Sequence, residues 1–114
     1  MTDILLDFHS SMSKKISSNY LIALSEDERI IQIRDKNPIK INTKQSKTMI
    51  RVRVTPKEYG IRYYEVNLIH PESYVILYRY IIKCNIPKPV INEKMTLKLR
   101  LTDKILEELF NFTN

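Results

Sequence analysis

The sequence predicts an all-β fold, an immunoglobulin-like antiparallel β-sandwich of about seven strands with a short C-terminal helix. Three observations carry this. Seventeen Ile and seven Tyr stand against a single Ala, and β-branched and aromatic residues favour strands. Short apolar runs recur about every ten residues, split by polar turns, which is the spacing of a sandwich or a barrel. Within several runs, apolar and polar residues alternate, so one face is buried and the other wet. Periodicity alone leaves sandwich and barrel both open.

The first strand is expected at 3–8 and a Ser-rich loop at 10–19. A strand follows at 20–24, with Tyr20, Ile22 and Leu24 sharing a face. After the polar turn 25–28, residues 29–34 read as a strand, blurred by the adjacent Ile30 and Ile31. A short strand is expected at 39–41. The cleanest alternation is 48–54, where Ile50, Val52 and Val54 face the core and Met49, Arg51 and Arg53 face out. Residues 61–69 place Tyr64, Val66 and Leu68 together. Residues 74–84 place Ile76, Tyr78, Tyr80, Ile82 and Cys84 opposite Arg79 and Lys83. The turn formers at 70–73 join these two runs as a hairpin. Pro87 and Pro89 end it, because neither has an amide donor. A last strand at 95–101 sets Leu97, Leu99 and Leu101 against Lys98 and Arg100. Residues 102–110 form a helix capped by Thr102, with Ile105, Leu106, Leu109 and Phe110 on one face. That face suits either a partner's groove or the domain's own sheet edge, and covering the edge is the expectation, since Leu109, Phe110 and Phe112 would otherwise form an exposed patch.

Residues 1–91 are thus assigned to the sandwich. Residues 92–114 supply an extra strand and amphipathic helix, in the same domain or opening a next module. A chain of 114 residues suits one domain. No run approaches the ~20 apolar residues of a membrane helix, and the N-terminus lacks the pattern of a signal peptide. The expectation is a soluble intracellular protein.

One glycine, Gly60, excludes a P-loop and a dinucleotide fingerprint, which need several. Two histidines and one cysteine give no zinc spacing. Cys84 reads as a small buried hydrophobe. No nucleophile elbow or metalloprotease motif occurs. The reading is non-enzymatic, with no catalytic residue, cofactor or metal assigned.

Charge is uneven. Between Glu28 and Arg62 there are ten basic and three acidic residues, a net +7 against +6 for the whole chain. Such a surface is either the solvated face of a sheet or a site for an acidic protein or nucleic acid. No aromatic interleaves the basic positions from Lys36 to Lys57, which disfavours nucleic acid. Lys40, Lys47, Arg51 and Arg53 are the candidate partner-binding residues, provided their strands lie in one sheet. Tyr64, Tyr78 and Tyr80 are expected in the core, their hydroxyls at the rim.

The run from Tyr78 through Cys84 to Pro87, Pro89 and Ile91 resembles the end of an immunoglobulin-like module of the nephrocystin-4 family. There a long apolar strand leads into a Lys-Pro exit. Asn19 to Leu24, Ile31-Gln32-Ile33 and Pro38-Ile39-Lys40-Ile41 resemble that module's earlier strands, and related sperm-protein-like sandwiches share the layout. This sequence has no Trp in the long strand, and a helix stands where the family continues into another module. The resemblance implies a scaffold of the cilium or cytoskeleton, at the basal body or transition zone. Its implied partners are other nephrocystin-type proteins and proteins that interact with the retinitis-pigmentosa GTPase regulator.

Overall fold

The structure, a computed structural model, describes residues 15–42 and 48–111. Among these, seven strands form two antiparallel sheets: β1 (Tyr20–Ser25), β2 (Ile31–Ile33), β3 (Ile39–Lys40), β4 (Met49–Val54), β5 (Gly60–Ile69), β6 (Ile76–Ile86) and β7 (Met95–Arg100). One sheet has the order β3-β1-β5-β6 and the other β2-β4-β7. Two separate sheets over a shared core make this a sandwich and not a barrel. A short 3-10 turn (Lys88–Val90) links β6 to β7, and an α-helix, α1 (Asp103–Leu109), follows β7. The strand expected at 3–8 lies outside the described residues.

The core follows from alternation. Ile50, Val52 and Val54 of β4 are wholly buried, as are Val66 and Leu68 of β5. Each such aliphatic side chain contributes about 1.5–3 kcal/mol through removal from water. In β1 the residues Tyr20, Ile22 and Leu24 do share a face, and it is the outer one; Leu21 and Ala23 face the core. Tyr64, Tyr78 and Tyr80 pack against the core, half-buried. The Tyr80 hydroxyl donates to the Arg100 carbonyl at 3.0 Å and so ties β6 to β7 across the sandwich edge.

Strand ends have local causes. β2 is shorter than the expected 29–34. The Asp27 carbonyl takes the amides of Ile30 and Ile31, and its carboxylate takes that of Arg29, which folds 27–30 into a turn. β6 begins at Ile76, two residues later than expected. Tyr74 has φ 60° and donates its N–H to His70, inside the turn. His70 is buried there, and its Nδ1 accepts the amides of Glu72 and Ser73.

β7 pairs with β4 along its whole length, and Leu101, Ile105, Leu106, Leu109 and Phe110 belong to the same core as β1–β6. The apolar face of α1 is therefore spent on this domain. Its N-terminus is capped as expected, the Thr102 hydroxyl accepting from the Ile105 N–H at 3.3 Å.

Candidate functional site

The outer face of the three-stranded sheet collects cations. Alternation in β4 sends Arg51 and Arg53 outward, and in β7 Lys98 and Arg100. Arg51 lies directly opposite Lys98, and Arg53 opposite Thr96. On the other side of β4, Gln32 faces Arg53. Arg34, just past β2, donates its N–H to the Arg51 carbonyl at 2.8 Å. Arg34, Arg51 and Lys98 thus stand in one row across three strands, with Arg53 and Arg100 diagonal to it. Like charges opposite one another in a sheet are destabilising.

One carboxylate answers them. Asp35 accepts the Arg51 backbone N–H at 2.8 Å, and its second oxygen takes the guanidinium at 2.8 and 3.0 Å. Asp35 stands where β2 has already ended, so its side chain extends the β2–β4 ladder by one acceptor. Arg34, Arg53, Lys98 and Arg100 make no ion pair among the described residues.

The four residues singled out from sequence are not brought together. Arg51 and Arg53 share this face. Lys40 sits on β3, opposite Tyr20, at the edge of the other sheet and on its outer side. The condition that all the strands lie in one sheet therefore fails, because β3 pairs with β1 and not with β4. Lys47 lies outside the described residues. Arg34, Lys98 and Arg100 take the vacant places. Alternation in 95–101 already turned Lys98 and Arg100 outward, but nothing in the sequence made β7 the neighbour of β4.

Elsewhere the chemistry is quiet. Open cavities of about 600 and 480 Å³ lie between β5 and the turn 27–30. Three of their four carboxylates are engaged: Asp27 with Arg29, Glu58 with Arg62 and Glu65 with Arg79; Glu26 is exposed. Hydrogen bonds from the Arg29 side chain and backbone hold the Asp27 carboxyl below its ordinary range, as an acceptor and not an acid. Burial pushes the Cys84 thiol up, which makes it a poor nucleophile. The described residues contain no group of three or more His, Cys, Asp or Glu placed to hold a metal ion. No helix among them is long and apolar enough to cross a membrane.

These features define an antiparallel β-sandwich with one strongly basic sheet face. No family model, curated protein or solved structure matches the chain.

Proposed function

We propose that the protein is a non-enzymatic interaction module that takes an acidic protein segment on the outer face of β2-β4-β7. The row Arg34–Arg51–Lys98, flanked by Arg53 and Arg100 and balanced by Asp35 alone, carries this reading. A folded domain gains nothing from setting cations abreast, and an anionic ligand would relieve the repulsion. Nucleic acid is the second reading. It is less favoured because the face, made of Gln32, Arg34, Met49, Arg51, Arg53, Thr96, Lys98 and Arg100, offers no aromatic ring for a base to stack on. The resemblance to nephrocystin-type modules extends the proposal to a ciliary or cytoskeletal scaffold.

Titration of the full chain with a poly-glutamate peptide and with a single-stranded oligonucleotide of equal length, over a range of salt, tests the choice. The proposal expects the peptide to bind the more tightly at physiological salt. An oligonucleotide that binds more tightly there, with the steep salt slope of phosphate contacts, would replace it with the nucleic-acid reading.

A further inference from the structure

The β5–β6 hairpin is longer than the sheet beside it. β1 pairs with β5 only from Val66 to Ile69, and one more bond runs from the Glu26 N–H to the Glu65 carbonyl at 3.1 Å. The chain then leaves the sheet through the turn 27–30 to reach β2. Because the Glu65 carbonyl points towards β1, the N–H and C=O groups of Tyr63 and Ile61, two and four residues earlier, point the same way. Those groups have no partner among the described residues. β5 therefore carries an open edge from Ile61 to Glu65, in line with β1 and unoccupied by it.

The fold closes its other short gap differently. Beyond β3, the Asn37 side chain accepts from the Ala23 N–H at 3.0 Å and donates to the Ala23 carbonyl at 2.9 Å, standing in for a strand. No side chain among the described residues does this for Tyr63. Besides the charged side chains that line the cavities next to it, this edge carries exposed apolar ones: Tyr59, Ile61, Tyr63 and Ile81, half of the large hydrophobics exposed among the described residues, cluster on this half of the hairpin.

We infer that the Ile61–Glu65 edge of β5 accepts an extended peptide from another protein as an added strand, antiparallel to β5. The site is separate from the basic face. The two cavities beside β5 form its groove, with Ile30 and Tyr64 in both. Residues of the turn 27–30 line the far side of both cavities. Charge sets the direction. At the Glu65 end the lining has Glu26, Asp27 and Glu65 against Arg29 alone; at the Gly60 end Arg29, Lys57 and Arg62 outnumber Asp27 and Glu58. A strand continuing the path of β1 enters at the acidic end. The matching peptide is apolar at alternate positions, basic at its N-terminal flank and acidic at its C-terminal flank.

The probe is a blocked peptide, Lys-Val-Thr-Val-Thr-Val-Glu, titrated into the full chain. Amide exchange of the Tyr63 and Ile61 N–H groups, fast in the free protein, should slow on binding. Tyr63→Pro removes one edge donor that the β5–β6 ladder does not use, and should weaken binding about tenfold while keeping the native circular dichroism spectrum. Tyr63→Thr, which keeps the donor, should bind far more tightly than Tyr63→Pro. A peptide with Lys and Glu exchanged should bind more weakly than the original. The inference is overturned by any of four results: no binding, protection appearing at β6 instead, affinity indifferent to Tyr63→Pro, or equal affinity for the exchanged peptide. If Tyr63→Pro does not fold, the exchange data on the unaltered chain decide alone.

Discussion

Replacing Asp35 probes the basic face and the fold together. Asp35→Ala removes the acceptor of the Arg51 N–H, a charge-assisted bond of about 1.5–3 kcal/mol. The side-chain pair adds only about 0.2–1 kcal/mol, since the Arg51 side chain is 61% exposed. It also leaves Arg34, Arg51 and Lys98 uncompensated. A loss of about 2 kcal/mol is expected, which lowers the melting temperature by roughly 8–10 °C in a domain of this size. Asp35→Asn keeps an oxygen for the N–H and loses only the charge, so about 1 kcal/mol should go. Thermal denaturation of both variants, at low salt and at about 1 M salt where the Debye length is about 3 Å, separates the two parts. The deficit of Asp35→Asn should nearly vanish at high salt, and that of Asp35→Ala should shrink and persist. Equal deficits for both variants, unchanged by salt, would refute the electrostatic account of this face.

Val52→Ala, in the wholly buried row of β4, should cost about 1–3 kcal/mol by chemical denaturation, clearly more than Arg53→Ala on the outer side of the same strand. Thr102→Ala should cost about 1 kcal/mol through loss of the cap on the Ile105 amide, read the same way. Burial raises the ionisation of Tyr64, Tyr80 and Cys84 above their ordinary values of 10.0, 10.0 and 9.0. The folded chain then holds more protons than the unfolded one at alkaline pH, so stability should fall as pH rises from about 9 upward. A denaturation midpoint flat from pH 8 to about 10.5 would contradict that burial. In the same range, thiol-reactive dyes should label Cys84 more slowly in the folded chain than in denaturant.

The strands were legible because their alternation is local. Ile50, Val52 and Val54 had to share a face whatever lay beside them, and Thr102 with Asp103 marked a helix start without reference to the rest of the chain. Sheet order was not legible. β1 finds its partner β5 some forty residues away, and β4 takes neighbours from both sides of the sequence. For that reason Lys40 and Arg51, close in sequence, part to opposite sides of the sandwich, whereas Lys98 joins Arg51 from a distance. Side chains that act as backbone were invisible as well. Nothing in a polar turn distinguishes Asn37, which completes the edge of β1, or Asp35, which lengthens the β2–β4 ladder. The open edge of β5 has the same origin: it exists because β1 stops at Ser25 while the hairpin runs on to Gly60.

The central claim, that the β2-β4-β7 face is where a partner lands, is tested most directly by the double variant Arg53→Glu with Lys98→Glu. Neither residue makes an ion pair or a side-chain hydrogen bond among the described residues, so the fold should survive the exchange. The measurement is the association rate of a poly-glutamate peptide at low and at physiological salt. The account predicts a fall of about tenfold or more at low salt, smaller at physiological salt, with the circular dichroism spectrum unchanged. An association rate identical to that of the unaltered chain at both salts would contradict it.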